Sequence, residues 1–208
     1  SLTTVSIPDS ITTIGNNAFS GCSSLTSIVI PENITKLYSS AIPSNCSNVT
    51  YKGAVEQWNS KKIDAGSGKD VQCSNGKPTM RVCYNNSNDE TYFYGLTPYG
   101  EEYITNTDKT VTIPDGVMRI SADRAFKNCE VETLVVPSSV QRIYSNLFAD
   151  SKIRLNTINY AGTIDEWNSM RVANLPYGID IVCSDGYVSC IKYTPFPEGS
   201  DPQCYWDG

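Results

Sequence analysis

Residues 2–21 read L-T-T-V-S-I-P-D-S-I-T-T-I-G-N-N-A-F-S-G, and residues 25–44 read L-T-S-I-V-I-P-E-N-I-T-K-L-Y-S-S-A-I-P-S. An offset of 23 carries Leu2 to Leu25, Val5 to Ile28, Ile7 to Ile30, Pro8 to Pro31, Ile11 to Ile34, Ile14 to Leu37 and Phe19 to Ile42. The spacing returns in the second half. There V-T-I-P-D-G-V-M-R-I from Val111 and T-L-V-V-P-S-S-V-Q-R-I from Thr133 align Ile113 with Val136, Pro114 with Pro137, Val117 with Val140 and Ile120 with Ile143. Such a period marks stacked supersecondary units, each unable to bury its apolar face alone.

The unit has a simple physical reading. Apolar residues at every second or third place make a short strand with one buried side. Pro8, Pro31, Pro114 and Pro137 stop each strand, because proline lacks the N–H that a continuing ladder needs. Asp9, Glu32, Asp115 and Ser138 follow as turn residues. A second extended piece, I-T-T-I or V-Q-R-I, continues the coil. The pairs Ala18–Phe19 and Ala125–Phe126 plug its far side. The expected product is a parallel-stranded solenoid.

A larger duplication overlies the small one. Tyr51–Asn59 reads Y-K-G-A-V-E-Q-W-N and Tyr160–Asn168 reads Y-A-G-T-I-D-E-W-N. Asp70–Gly76 reads D-V-Q-C-S-N-G and Asp180–Gly186 reads D-I-V-C-S-D-G. Each half is thus two repeats and an edge unit. Acidic residues before Trp58 and Trp167 suit a helix start, and each tryptophan is expected to pack on the last coil. The division read here is 1–76 for the first repeat unit, 77–110 for a connecting segment, 111–186 for the second unit, and 187–208 for a tail or a truncated next unit. In the connecting segment, Met80–Tyr84 and Glu90–Leu96 read as strands around N-N-S-N-D. Pro98 and Gly100 mark a looser stretch, and Tyr103–Thr107 leads back into the coil. The segment fits a hairpin or a hinge; its aromatic content favours the hairpin.

The chain has 208 residues, a net charge of -6, 8 cysteines and no histidine. Without histidine, imidazole bases and imidazole metal ligands are excluded. Acidity without a basic patch excludes a nucleic-acid binder. No apolar run approaches the roughly 20 residues of a membrane span. The chain opens at Ser1 within the repeat pattern and reads as a fragment of a longer protein. Cys22 and Cys129 share a repeat position and read as small buried residues. Cys46 sits in a polar S-N-C-S-N setting. Cys73 with Cys83, and Cys183 with Cys190, fit either a bridge or neighbouring reduced thiols; Cys204 fits Cys190 equally well. No C-x-x-C motif supports redox chemistry or a zinc knuckle.

The edge units, the G-C-S-S-L step at Gly21–Leu25 and the 23-residue coils together resemble the BspA-like leucine-rich repeat proteins. The resemblance implies a leucine-rich repeat solenoid of the α/β class, strand-rich with short helical turns, as two tandem units joined by a β-hairpin segment. It implies a secreted or cell-surface protein without a catalytic set, cofactor or metal. The departures are Ile42-Pro43, where an A-F-x-x-C step is expected, and an inserted residue at Asp123, expected to bulge outward.

The expected function is a non-catalytic adhesion module binding an extracellular-matrix or neighbouring-cell protein, with a glycan as a further partner and no membrane insertion. The alternatives are a structural spacer in a larger surface protein and a carbohydrate-binding protein. Thr4, Ser6, Ser27, Val29, Thr112, Thr133 and Val135 point outward along the first strands and form the candidate interaction face. Thr12, Thr13, Thr35, Lys36, Met118, Arg119, Gln141 and Arg142 take the outward positions of the second strands. Tyr92, Tyr94, Tyr99 and Tyr103 form an aromatic segment that reads either as a contact surface or as leucine substitutes in a hairpin core. Glu56, Asp165 and Glu166 fit helix-start chemistry better than a glycosidase pair. Asp70, Asp180 and Asp185 offer oxygen ligands without a calcium loop. Sequons stand at Asn33, Asn45, Asn48 and Asn85.

Overall fold

The computed structural model describes residues 2–38, 40–66, 69–85, 90–120, 126, 129–144, 154–172, 175 and 178–189. The expected bulge at Asp123, together with Cys190, Cys204 and the tail beyond Ser189, lies outside them. The chain divides into two compact units, Ser1–Tyr103 and Ile104–Gly208.

Unit 1 contains β1 (Thr4–Ser6), β2 (Thr13–Ile14), β3 (Ser27–Ile30), β4 (Lys36–Leu37), β5 (Asn48–Tyr51), α1 (Val55–Ser60), β6 (Asp70–Gln72), β7 (Met80–Asn85) and β8 (Glu90–Leu96), and the division between the units falls within α2 (Pro98–Thr105). Strands β1, β3, β5 and β6 form one parallel sheet in that order, and β2 pairs with β4. Unit 2 contains β9 (Thr110–Thr112), β10 (Arg119–Ile120), β11 (Thr133–Val136), β12 (Arg142–Ile143), β13 (Thr157–Tyr160), α3 (Ile164–Ser169), β14 (Arg171–Val172), β15 (Asp180–Cys183) and β16 (Gly186–Ser189). Here β9, β11, β13 and β15 pair in parallel, and β16 returns antiparallel on β15.

The prolines act alike in all four coils. Backbone N–H groups of Ile11, Ile34, Val117 and Val140 donate to the carbonyls of Pro8, Pro31, Pro114 and Pro137 at 3.0, 3.3, 3.3 and 3.1 Å. The same turn therefore ends each first strand and aims the second. Register follows: Val5 pairs with Ile28, Ile14 with Leu37, Val111 with Leu134 and Ile120 with Ile143. Ile28, Val49 and Val71 fill one core row; Val111, Leu134, Ile158, Ile181 and Val188 fill the other. Full burial of such side chains stabilises by about 1.5–3 kcal/mol each before entropy is counted.

Coil length is less regular than the sequence period. Ser27 pairs with Asn48, so that coil is short, at the anticipated Ile42-Pro43 departure. Ala41, Ile42 and Cys46 are buried there. The polar surroundings of Cys46 in sequence mislead, because the shortened coil turns its sulfur inward.

The edge unit explains its own motif. The rings of Tyr51 and Tyr160 fold back over Gly53 and Gly162, where an added Cβ would lie 2.7 and 2.5 Å from the ring carbons. The tyrosines meet Trp58 and Trp167, with ring centroids 5.3 and 5.5 Å apart. Gln57 and Glu166 reach back to accept the N–H groups of Ala54 and Thr163 at 2.7 and 2.8 Å; in α3 Thr163 Oγ1 accepts the Glu166 N–H at 3.2 Å and completes a capping box, whereas Ala54 has no oxygen to do so in α1. Asn75 and Asp185, from the closing C-S-N-G and C-S-D-G turns, accept from the N–H of Val55 and Ile164 at 2.8 and 2.9 Å. Motif and closing turn thus hold one another.

Two features depart from the expectations. The looser stretch at Pro98 is helix α2. Proline at the first helical position presets φ, and Thr97 Oγ1 accepts the Gly100 N–H at 3.0 Å as a cap. Gly100 is required, because a Cβ there would run into the Thr79 carbonyl. The halves also close differently. Tyr187-Val188-Ser189 pairs with β15, whereas unit 1 has Lys77-Pro78-Thr79 in the same place, and Pro78 has no N–H to give.

Candidate functional site

The candidate face is built by register. On the outward side of the unit 1 sheet, Thr4, Ser27, Asn48 and Asp70 form one row, and Ser6, Val29, Thr50 and Gln72 the next. In unit 2, Thr110, Thr133, Thr157, Asp180 and Ser189 form one row, and Thr112, Val135, Asn159, Val182 and Tyr187 the other. Thr4, Ser6 and Thr112 are exposed; Ser27, Val29, Thr133 and Val135 are half-buried, flanked by strands on both sides. Thr133 and Thr112 stand in different rows, because Thr133 pairs with Thr110.

Sequence reasoning missed the C-terminal part of this face. Val182 and Tyr187 are direct cross-strand partners, and Tyr187 is 67 % exposed. The alternation T-I-N-Y and D-I-V-C already marked Asn159 and Val182 as outward. Tyr187 needed the return strand, which no repeat signalled.

The tyrosines do not replace leucine in the hairpin core. Strand β8 buries Thr91, Phe93 and Leu96, and period-two alternation leaves Tyr92 and Tyr94 on its half-buried side. Their rings stack at 5.7 Å with planes 12° apart, and Arg81 lies 5.9 Å over Tyr94. Burial pushes the Tyr94 hydroxyl up. On α2, Tyr99 and Tyr103 stand one turn apart, exposed, with centroids 6.2 Å apart. The segment therefore presents two separate aromatic pairs.

Glu56, Glu166, Asp70 and Asp185 have structural partners. Glu166 caps α3, and Glu56 accepts from Asn75 at 3.0 Å. A backbone hydrogen bond at the helix start, then Asn75, holds the Glu56 carboxyl below its usual range. Asp70 pairs with Lys77 at 2.7 Å. Among the described residues, no three His, Cys, Asp or Glu side chains cluster to hold a metal ion. Asn45 gives its amide to the carbonyls of Cys22 and Leu25 at 3.2 and 2.6 Å, a role within the fold.

Cys22, Cys46, Cys73, Cys83, Cys129 and Cys183 carry no disulfide, so of the two readings open for Cys73 with Cys83 the structure has the reduced thiols, and Cys190 lies outside the described residues. Burial pushes Cys73 and Cys83 up to about 11. The unfolded chain loses these protons near pH ~8.5, while the folded chain keeps them. Stability contributed by the buried thiols is therefore complete at neutral pH and falls as pH rises towards 11. Urea midpoints measured across that range are expected to fall more steeply for the natural chain than for Cys73→Ala. Parallel profiles would contradict the assignment.

Among the described residues, no helix is long and apolar enough to cross a membrane. The model of the BspA type leucine rich repeat region matches residues 1–64 and 103–185 in six copies. Among solved structures, a leucine rich cell surface protein from Faecalibacterium prausnitzii A2-165 is similar at 15 % identity, with a TM-score of 0.27. That match covers 84 % of this chain and 63 % of the other, so the chain spans less than two thirds of that protein's length. A search of curated proteins finds no match.

Proposed function

This chain belongs to the BspA-type leucine-rich repeat family, and from that premise we propose that it is a non-catalytic adhesion module of the cell surface or extracellular space. Its partner is an extracellular-matrix or neighbouring-cell protein. The observation that carries the reading is the pair of in-register outward rows on the larger sheet of each unit. Repetition places like side chains one coil above another, giving an extended face suited to a broad macromolecular partner. Thr4, Ser6, Ser27, Val29, Thr112, Thr133 and Val135 belong to that face. The pairs Tyr92–Tyr94 and Tyr99–Tyr103 supply a second, aromatic contact. Residues 1–76 and 111–186 act as the two binding units, with 77–110 connecting them.

The test is binding of the full chain to a panel of matrix proteins by surface plasmon resonance, with circular dichroism as the folding control. At least one partner is expected to bind, and Val135→Glu to weaken that binding by about tenfold through a buried charge at the contact. A folded chain that binds none, or that binds equally well with Val135→Glu, refutes the proposal.

A further inference from the structure

The closing turns of the two units differ at one reactive place. Both run from a buried cysteine to a glycine, Cys73 to Gly76 and Cys183 to Gly186. The glycines have φ values of 149° and 158°, a backbone region that strains any residue with a side chain, so both turns must keep them. The residue just before is Asn75 in unit 1 and Asp185 in unit 2, and both do one job. Asn75 Oδ1 accepts the Val55 N–H at 2.8 Å, and Asp185 Oδ1 accepts the Ile164 N–H at 2.9 Å. An aspartate is therefore a working occupant of this position.

Asn75–Gly76 is the one Asn-Gly step in the chain. Glycine has no side chain to hinder its own amide nitrogen, so that nitrogen reaches the carboxamide carbon before it with least obstruction. Asn75 is exposed, which admits water. The Val55 N–H already sits on Oδ1, the oxygen that gathers negative charge when Cγ is attacked.

We propose that Asn75 is a site of spontaneous covalent modification, at which the first closing turn deamidates while the second has no amide to lose. The Gly76 nitrogen gives up its proton and bonds to Asn75 Cγ. The Cγ–Nδ2 bond breaks, ammonia leaves carrying that proton, and a cyclic succinimide remains. Water then opens the ring. Addition at Cγ gives aspartate, and addition at the main-chain carbonyl carbon gives isoaspartate. One water is consumed and one ammonia released.

The two products act differently on α1. Aspartate keeps the acceptor for Val55, but sets a second carboxylate against Glu56, where the amide donated at 3.0 Å. Isoaspartate routes the backbone through Cγ and lengthens the turn by one carbon. That change works against both the Val55 contact and the 2.8 Å bond from the Cys73 N–H to the Gly76 carbonyl. The start of α1 leans on Asn75 more than α3 leans on Asp185, because Thr163 caps α3 and Ala54 has no side-chain oxygen. Isoaspartate thus loosens the first edge unit.

The natural full chain is its own probe, aged in buffer and mapped by peptide mass spectrometry, with chromatography separating the two products. Position 75 is expected to gain about 1 Da before any other asparagine. Its rate should rise about tenfold per pH unit above neutral, because the attacking amide must lose its proton. The purified isoaspartate form should unfold at a lower urea concentration than the natural chain, with the aspartate form between them. Asn75→Asp should show no mass gain at position 75 and a natural circular dichroism spectrum. No gain at residue 75 in the folded chain, or an earlier gain at another asparagine, overturns the proposal. An isoaspartate form with the natural urea midpoint, or an unfolded Asn75→Asp chain, overturns the structural account of the products.

Discussion

Trp58→Ala and Trp167→Ala should each destabilise the unit that carries the substitution by about 3–5 kcal/mol, the range for truncating a large buried aromatic side chain. Both indoles are almost wholly buried, and each packs against the tyrosine seven residues earlier. Truncation removes the transfer energy of the indole and opens a cavity beneath the Tyr51 or Tyr160 ring. The local structure has little room to collapse, because Gly53 and Gly162 already lie against those rings. Each coil is held mainly by its neighbours, so the loss should fall on the substituted unit. Urea unfolding followed by far-ultraviolet circular dichroism is the measurement. The expected curve has two steps, with the earlier one belonging to the altered unit. A loss below about 1 kcal/mol would mean that the indole is not a packing element.

Arg81→Ala should cost about 3 kcal/mol, towards the low end for breaking a buried ion pair. Asp64 is 4 % exposed and Arg81 18 % exposed, with Arg81 Nη2 2.7 Å from Asp64 Oδ2. The Arg81 Nε also donates to Asp64 Oδ1, at 3.2 Å, giving the two-point geometry that makes such pairs strong. The residual exposure of Arg81 leaves some screening by water, which sets the low end. The cost comes from stranding the carboxylate rather than from losing an attraction. It follows that Arg81→Met combined with Asp64→Asn should recover most of the loss. A double-mutant cycle in urea checks both statements. Additive single substitutions would show that the pair is not coupled, and the account would fail.

This pair also marks where the duplication stops being a guide. Asp64 aligns with Ala173 in the second half, so nothing in the repeat announces it. It tethers the end of the first edge unit to β7. Similarly, Arg119 and Arg142 lie one repeat apart and were visible as outward residues. Arg171 pairs in register with Arg142 across an edge unit of a different length, which only the pairing of β12 with β14 reveals. The aromatic segment had two open readings for a related reason. Composition asked for burial, but period-two alternation in β8 gave the inner places to Thr91 and Phe93.

The order of residues was enough to specify the coils, the proline turns that end their first strands, the buried rows and the edge helices. These depend on contacts within one coil or between adjacent coils, and a short period records them directly. Tertiary contacts alone set which charged residues meet, that Cys46 turns inward, and that β16 returns on β15 where unit 1 has Pro78, which has no N–H to give. Those outcomes depend on coil length and strand register. A one-residue change in either redirects every following side chain, and the pattern of apolar residues is nearly blind to it.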